Sequence, residues 1–147
     1  AGLENLQRRA SLMWEDERAF LLANPEVIEL PLAHIQAGFV RVADQGGVAR
    51  AFSVLLPRAD DALLDGLFVT PEYWGRGLGR LLVADAATRA RAEGLAALEV
   101  VANRHALGFY EKLGFAGTGM VQTSFGPARR LRRGLEPGRK AGLSPET

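Results

Sequence analysis

Gly75, Gly77 and Gly79 stand at alternate positions in the run Trp74-Gly75-Arg76-Gly77-Leu78-Gly79-Arg80, directly ahead of a leucine-rich stretch with helical spacing. A glycine inside a helix costs about 1 kcal/mol against alanine, so three of them at a helix start imply a use. The first turn of a helix leaves N–H groups without intrahelical partners and carries the positive end of the macrodipole, and both attract an anion. Lacking a Cβ, the glycines tolerate the dihedral angles of an amide nest and let a bulky diphosphate approach the backbone. Arg76 and Arg80 add positive charge beside it. The chemistry expected here is phosphate binding between a strand and a helix. A Walker A loop would end in Gly-Lys-Ser/Thr, whereas Gly79 is followed by Arg80-Leu81. A dinucleotide fold would show Gly-x-Gly-x-x-Gly near the start of the chain, and that spacing is absent too.

The remaining residue types narrow the chemistry further. There is no cysteine, which removes thiolate nucleophiles and cysteine-held metals. The two histidines, His34 and His105, lack an accompanying ligand cluster, so no metal is expected.

The elements that must position the glycine run follow from periodicity. Leu3 to Leu22 reads as an amphipathic helix with Leu6, Ala10, Met13 and Trp14 on one stripe, ended by Asn24-Pro25. Val27 to Leu32 reads as a short strand or a loop. Phe39–Ala43 and Val48–Leu56 read as strands joined by a turn at Asp44-Gln45-Gly46-Gly47, and Ala62–Val69 as a third strand after a turn over 57–61. Beyond the glycines, a helix is expected from about Gly77 to Glu93, stopped by Gly94, then a strand over Ala96–Ala102. A second helix is expected from about Arg104 to Leu113, ended by Gly114, with Phe115 opening the last strand region. Strand, helix, strand is a crossover unit, so the strands at 62–69 and 96–102 should run parallel. The fold class expected is α/β (α+β): a mixed, mostly antiparallel central sheet with one parallel strand pair and helices on both faces.

With 147 residues, 48% of them hydrophobic, the chain suits one domain, expected over 1–133, with a flexible tail over 134–147. Net charge is +1 from 18 basic and 17 acidic residues, which supplies no field favouring nucleic acid or an anionic membrane. The basic run Arg129, Arg130, Arg132, Arg133 reads as the exposed face of a last strand, without the interleaved aromatics of a nucleic-acid surface. No apolar run is long enough to span a bilayer and the start shows no secretory pattern, so a soluble, cytoplasmic protein is expected.

Two blocks carry a family resemblance. The first is Leu67-Phe68-Val69-Thr70-Pro71 followed by Trp74-Gly75-Arg76-Gly77-Leu78-Gly79; the second is Asn103, Ala106 and Phe109-Tyr110-Glu111-Lys112-Leu113-Gly114-Phe115. Together, in this order and separated by a helix and a strand, they resemble the GNAT superfamily of acyl-CoA-dependent N-acetyltransferases. Trp74 departs from that pattern, standing where the family has Gln or Arg.

The resemblance implies that the parallel strands splay apart and that acetyl-CoA is the co-substrate. Leu67, Phe68 and Val69 would offer main-chain groups to pantetheine and the acetyl carbonyl, and Gly75, Arg76, Gly77, Leu78, Gly79 and Arg80 would hold the diphosphate. Tyr110 would be the general acid for the departing sulfur, Asn103 would cap the second helix or meet pantetheine, and Lys112 would be a solvated lysine or a contact to the 3′-phosphate. The general base is left open among Asp65, Glu72 and Glu99. Alternation places Asp65 on the face of Leu67 and Val69, and Glu99 takes its face according to whether its strand carries a bulge. The partners implied are acetyl-CoA and an amine-bearing acceptor, with a homodimer allowed for and neither nucleic acid nor membrane expected. A non-catalytic acyl-CoA binding module and a nucleotide-binding regulator are the alternatives.

Overall fold

β-Branched and large apolar residues place three consecutive strands side by side: β1 (Val40–Gln45), β2 (Val48–Pro57) and β3 (Ala62–Val69). Gly46 and Gly47 both take positive φ, 63° and 81°, which is what a two-residue turn matched to the strand twist demands. A computed structural model describes residues 2–11, 32–123 and 126–135. Preceding β1 are α1 (Gly2–Ser11) and the short α2 (Leu32–Gln36). After β3 come a 3₁₀ turn (Pro71–Tyr73), α3 (Leu78–Ala92), β4 (Ala97–Ala102), α4 (Leu107–Lys112), β5 (Ala116–Thr123) and β6 (Gly126–Gly134). The sheet order is β1-β2-β3-β4-β6-β5, antiparallel throughout except for β3 and β4.

That parallel pair is short. Ala62, Leu63 and Leu64 match Leu98, Glu99 and Val100, and there the pairing stops, leaving the rest of β3 without a paired strand on that side among the described residues. β3 also carries a bulge: Val54 pairs with Gly66 but Leu55 with Leu64, so Asp65 is the extra residue.

Two apolar clusters sandwich the sheet. On one face α3 buries Leu82, Val83, Ala86, Ala87 and Ala90, a helical stripe whose small residues let it lie close over Leu64, Leu98 and Val100, with Tyr110, Phe115 and Leu131 completing the cluster. On the other face Leu6 of α1 packs with Phe52 and Val54, flanked by Phe68.

Several expectations are corrected in detail. The helix expected from Arg104 begins at Leu107, because Oδ1 of Asn103 accepts from the amides of His105 and Ala106 at 2.9 and 3.0 Å and holds 104–106 as a turn. Leu32, expected to end a strand or loop, opens α2. The tail boundary at 134 falls inside the sheet: Gly134 pairs with Ala97, and Leu135 is buried with its amide donating to Ala96. Residues 12–31 and 136–147, including Met13, Trp14 and Asn24-Pro25, lie outside the described residues.

The basic run does lie on the last strand, with Arg129 exposed, but it is more than a solvated face. β6 is an interior strand, and Arg132 reaches Asp61 at 2.7 Å and Glu99 at 3.7 Å while Arg130 meets Glu99 at 3.1 Å. Arg58 grips Asp61 with two nitrogens, at 2.7 and 2.9 Å. The Arg58 hydrogen bond first, and then Arg132, hold the Asp61 carboxyl below its ordinary range. Such a depressed value contributes stability above the unfolded value near pH 4, lost as pH falls through the folded value. Asp61→Asn is therefore expected to lower unfolding free energy by about 1–2 kcal/mol at pH 7, with the gap to the parent narrowing in urea titrations below about pH 4.

Candidate active site

The glycine run forms the start of α3. Gly77 is the N-cap with φ 85°, ψ 6°, and Gly75 has φ 79°, a backbone state that other residues adopt at a cost. A Cβ built on either would meet nothing within 4 Å, so the backbone is open to approach at both positions. The amide of Leu81 is bonded to the Gly77 carbonyl, which leaves the amides of Leu78, Gly79 and Arg80 as the unpaired first turn of the helix. These residues fit a diphosphate. Gly79 serves differently from what its spacing implied: its φ is not positive, and a Cβ there would lie 3.1 Å from Phe109. It lets α4 close against α3 rather than shaping the nest.

The strand end leads directly into this loop. The Thr70 amide donates to the Arg50 carbonyl at 2.8 Å, and Phe68 pairs with Phe52, so the even residues at this end bond to β2. Leu67 and Val69 consequently turn their N–H and C=O groups to the opposite side, where β4 has parted from β3. Phe68 does not offer its main chain to that gap, correcting the expectation for it; its ring packs 5.5 Å from Phe52. The indole N–H of Trp74 donates to the Val69 carbonyl at 2.7 Å, so this position acts through its side chain on a group that faces the gap.

Tyr110 lies in the core cluster against which Leu67 packs, 6% exposed, with its ring edge-on to Phe109 at 5.0 Å and to Phe115 at 5.4 Å. Burial pushes its phenol far above the ordinary value, so it stays protonated throughout the neutral range. Asn103 caps the turn leading to this helix, and Lys112 is exposed on its last turn.

The three carboxylates separate cleanly. Asp65 is exposed at the bulge, and because Leu64 and Leu67 both pack on the α3 side, strict alternation fails and does not put Asp65 on the face of Leu67. The β4 register is unbroken, so Glu99 stays on the face away from Leu98 and Val100 and is gripped by Arg58, Arg130 and Arg132. Glu72 is held ionised, below its usual range, by its own backbone amide first, then by Thr70 and Arg9.

The sequence of the chain matches the Acetyltransferase (GNAT) family over residues 3–115. The chain belongs to the GNAT acetyltransferase family. Over 56 residues it is 43% identical to the peptidyl-lysine N-acetyltransferase YjaB of Salmonella typhimurium, a match covering 38% of this chain and 37% of that protein. The fold is that of the PaiA N-acetyltransferase from Thermoplasma acidophilum, solved with coenzyme A, at a TM-score of 0.72 and 19% identity, covering 90% of this chain and 91% of that one. It also matches a GNAT acetyltransferase from Elizabethkingia anophelis with acetyl-CoA bound, at a TM-score of 0.65 and 20% identity, covering 78% and 87%.

Around the mouth of this GNAT domain sit residues that sequence reasoning missed. Thr70, 3% exposed, accepts from Arg9 at 3.0 Å and donates to Glu72 at 2.9 Å, tying α1 to the end of β3. Arg50 and Tyr73 were missed too: Arg50 stacks on the Tyr73 ring together with Arg76, which the glycine run had already offered. Sixty-one residues separate Arg9 from Thr70, so no local pattern announces the contact.

Proposed function

We infer that this chain transfers acetyl from acetyl-CoA to the primary amine of an acceptor by direct attack, without a covalent enzyme intermediate. The observation that carries this is the run of gap-facing main-chain groups at Leu67 and Val69, leading straight into the open amide nest at 75–80. Acetyl-CoA supplies the activated acetyl thioester. Leu67 and Val69 would receive the pantetheine arm as a sheet edge receives an added strand, while the amides from Gly75 to Arg80 hold the diphosphate. The Val69 amide would face the thioester oxygen and stabilise charge building on it. Tyr110, kept protonated by burial, would hand its proton to the departing sulfur. Asn103 and Lys112 would flank the arm from α4. For the amine's proton, Asp65 is favoured over Glu72 and Glu99, whose oxygens are engaged by arginines.

The activity of the Salmonella relative makes a lysine side chain the first acceptor to try, and a cytoplasmic location accords with it. Among the described residues no helix is long and apolar enough to cross a membrane. The test is thiol release from acetyl-CoA with a panel of lysine peptides, free amino acids and polyamines. CoA should appear only when an amine is present. Tight CoA binding with no turnover on any amine would instead mark a binding module, and equal affinity for ATP and CoA a nucleotide regulator.

A further inference from the structure

Two arginines from separate segments converge on one tyrosine beside the amide nest. The guanidinium carbons of Arg50 and Arg76 lie 4.7 and 4.5 Å from the centre of the Tyr73 ring. Arg50 comes from β2, Tyr73 from the 3₁₀ turn after β3, and Arg76 from the glycine loop itself. Arg50 is anchored through its carbonyl, which accepts from Thr70, and its Nε is buried without a hydrogen-bond partner.

Several other guanidiniums of this molecule meet carboxylates: Arg9 meets Glu72, Arg58 and Arg132 meet Asp61, and Arg41 and Arg89 meet Asp85. Arg50 and Arg76 face no carboxylate among the described residues; the ring alone holds them. An aromatic face attracts a cation, but two cations sharing one ring repel each other. A bound dianion removes that repulsion, and planar guanidiniums match phosphate oxygens in pairs.

We propose that Arg50 and Arg76, splinted by Tyr73, seat the 3′-phosphate of coenzyme A and select it over the dephospho form; this rests on the acetyl-CoA assignment above. A phosphate monoester carries nearly two negative charges at pH 7. In coenzyme A it hangs on the same ribose whose 5′ side carries the diphosphate, so a ligand clasped at 75–80 would carry it on the sugar next to that loop, which Tyr73 precedes and Arg76 belongs to. Lys112, the residue that the motif pattern offered for this contact, is exposed on the last turn of α4.

Calorimetric titration with CoA and with dephospho-CoA, at one fixed low salt concentration, tests the assignment. The parent should prefer CoA roughly tenfold, a difference of about one charged hydrogen bond. Arg50→Gln and Arg76→Gln should each cut the preference to about twofold or less, and Tyr73→Leu should do the same while Tyr73→Phe keeps it. The preference is a ratio within one preparation, so partial unfolding of a variant cancels, and Arg76, being exposed, supplies a variant of low folding risk. Equal affinities in the parent overturn the proposal, as does a loss in Arg50→Gln that weakens both ligands alike. It is also overturned if Lys112→Gln erases the preference while the arginine variants retain it. If neither ligand binds, the acetyl-CoA assignment itself falls; if both bind without preference, only the 3′-phosphate seat does.

Discussion

Replacing Gly77 by aspartate is expected to lower CoA affinity at least about a hundredfold, equivalent to roughly 2.7 kcal/mol. Gly77 sits at φ 85° with open space where its Cβ would be, so the substitution meets no protein atom and the fold is retained. Left-handed backbone costs a non-glycine residue about 1–2 kcal/mol, and aspartate is among those that tolerate it best. What the new side chain does is place a carboxylate among the amides from Leu78 to Arg80, where the diphosphate must sit, adding both bulk and like charge. Gly77→Asn separates the two effects, because it keeps shape and backbone preference and drops the charge. Calorimetry should rank parent, Asn and Asp in falling affinity; equal affinities in all three would show that the diphosphate does not approach this turn. Gly79→Ala would act by another route, since its methyl meets the tip of the Phe109 ring at 3.1 Å and the ring must shift by a few tenths of an ångström.

Tyr110→Phe should reduce kcat about a hundredfold or more, within the range lost when a positioned general acid is removed, while the KM for acetyl-CoA changes less than about threefold. The phenyl ring keeps the edge contacts with Phe109 and Phe115, so packing is preserved and only the proton is lost. Burial raises the phenol, which fixes the sign of two pH effects. Deprotonation of Tyr110 cannot produce an alkaline fall in kcat below about pH 10. Above that pH the unfolded chain ionises the phenol and the folded chain does not, so stability is lost as pH rises, and Tyr110→Phe should flatten that loss in urea titrations. Unchanged kcat in the variant would remove Tyr110 from the reaction.

The features legible in the sequence were those encoded locally. Gly94 and Gly114 stop their helices with positive φ, 75° and 94°, as their positions after apolar periodic runs implied. The parallel pairing of β3 and β4 followed from strand, helix and strand in succession. What was not legible depends on partners far along the chain. The bulge at Asp65 exists only through the register with Val54 and Leu55, so alternation counted along β3 misplaced that carboxylate. Glu99 stood among the candidate bases because the arginines that grip it come from Arg58 and from β6, a strand inserted between β4 and β5. Gly79 belonged to the nest by spacing, and only the approach of Phe109 shows that a Cβ would be crowded there. Leu32–Gln36 is too short for a helical period to emerge, and Gly134-Leu135 has the composition of a tail although Leu135 is buried.

The central claim is that main-chain amides from Gly75 to Arg80 grip a diphosphate and so direct the thioester to the gap beside Val69. Amide chemical shifts of the ¹⁵N-labelled protein, followed through a titration with CoA, test it directly. The amides of residues 75–80 and of Leu67 and Val69 should move together and saturate, along with the Trp74 indole N–H now bonded to Val69. Saturating shifts clustered on another part of the surface, with these amides unmoved, would contradict it.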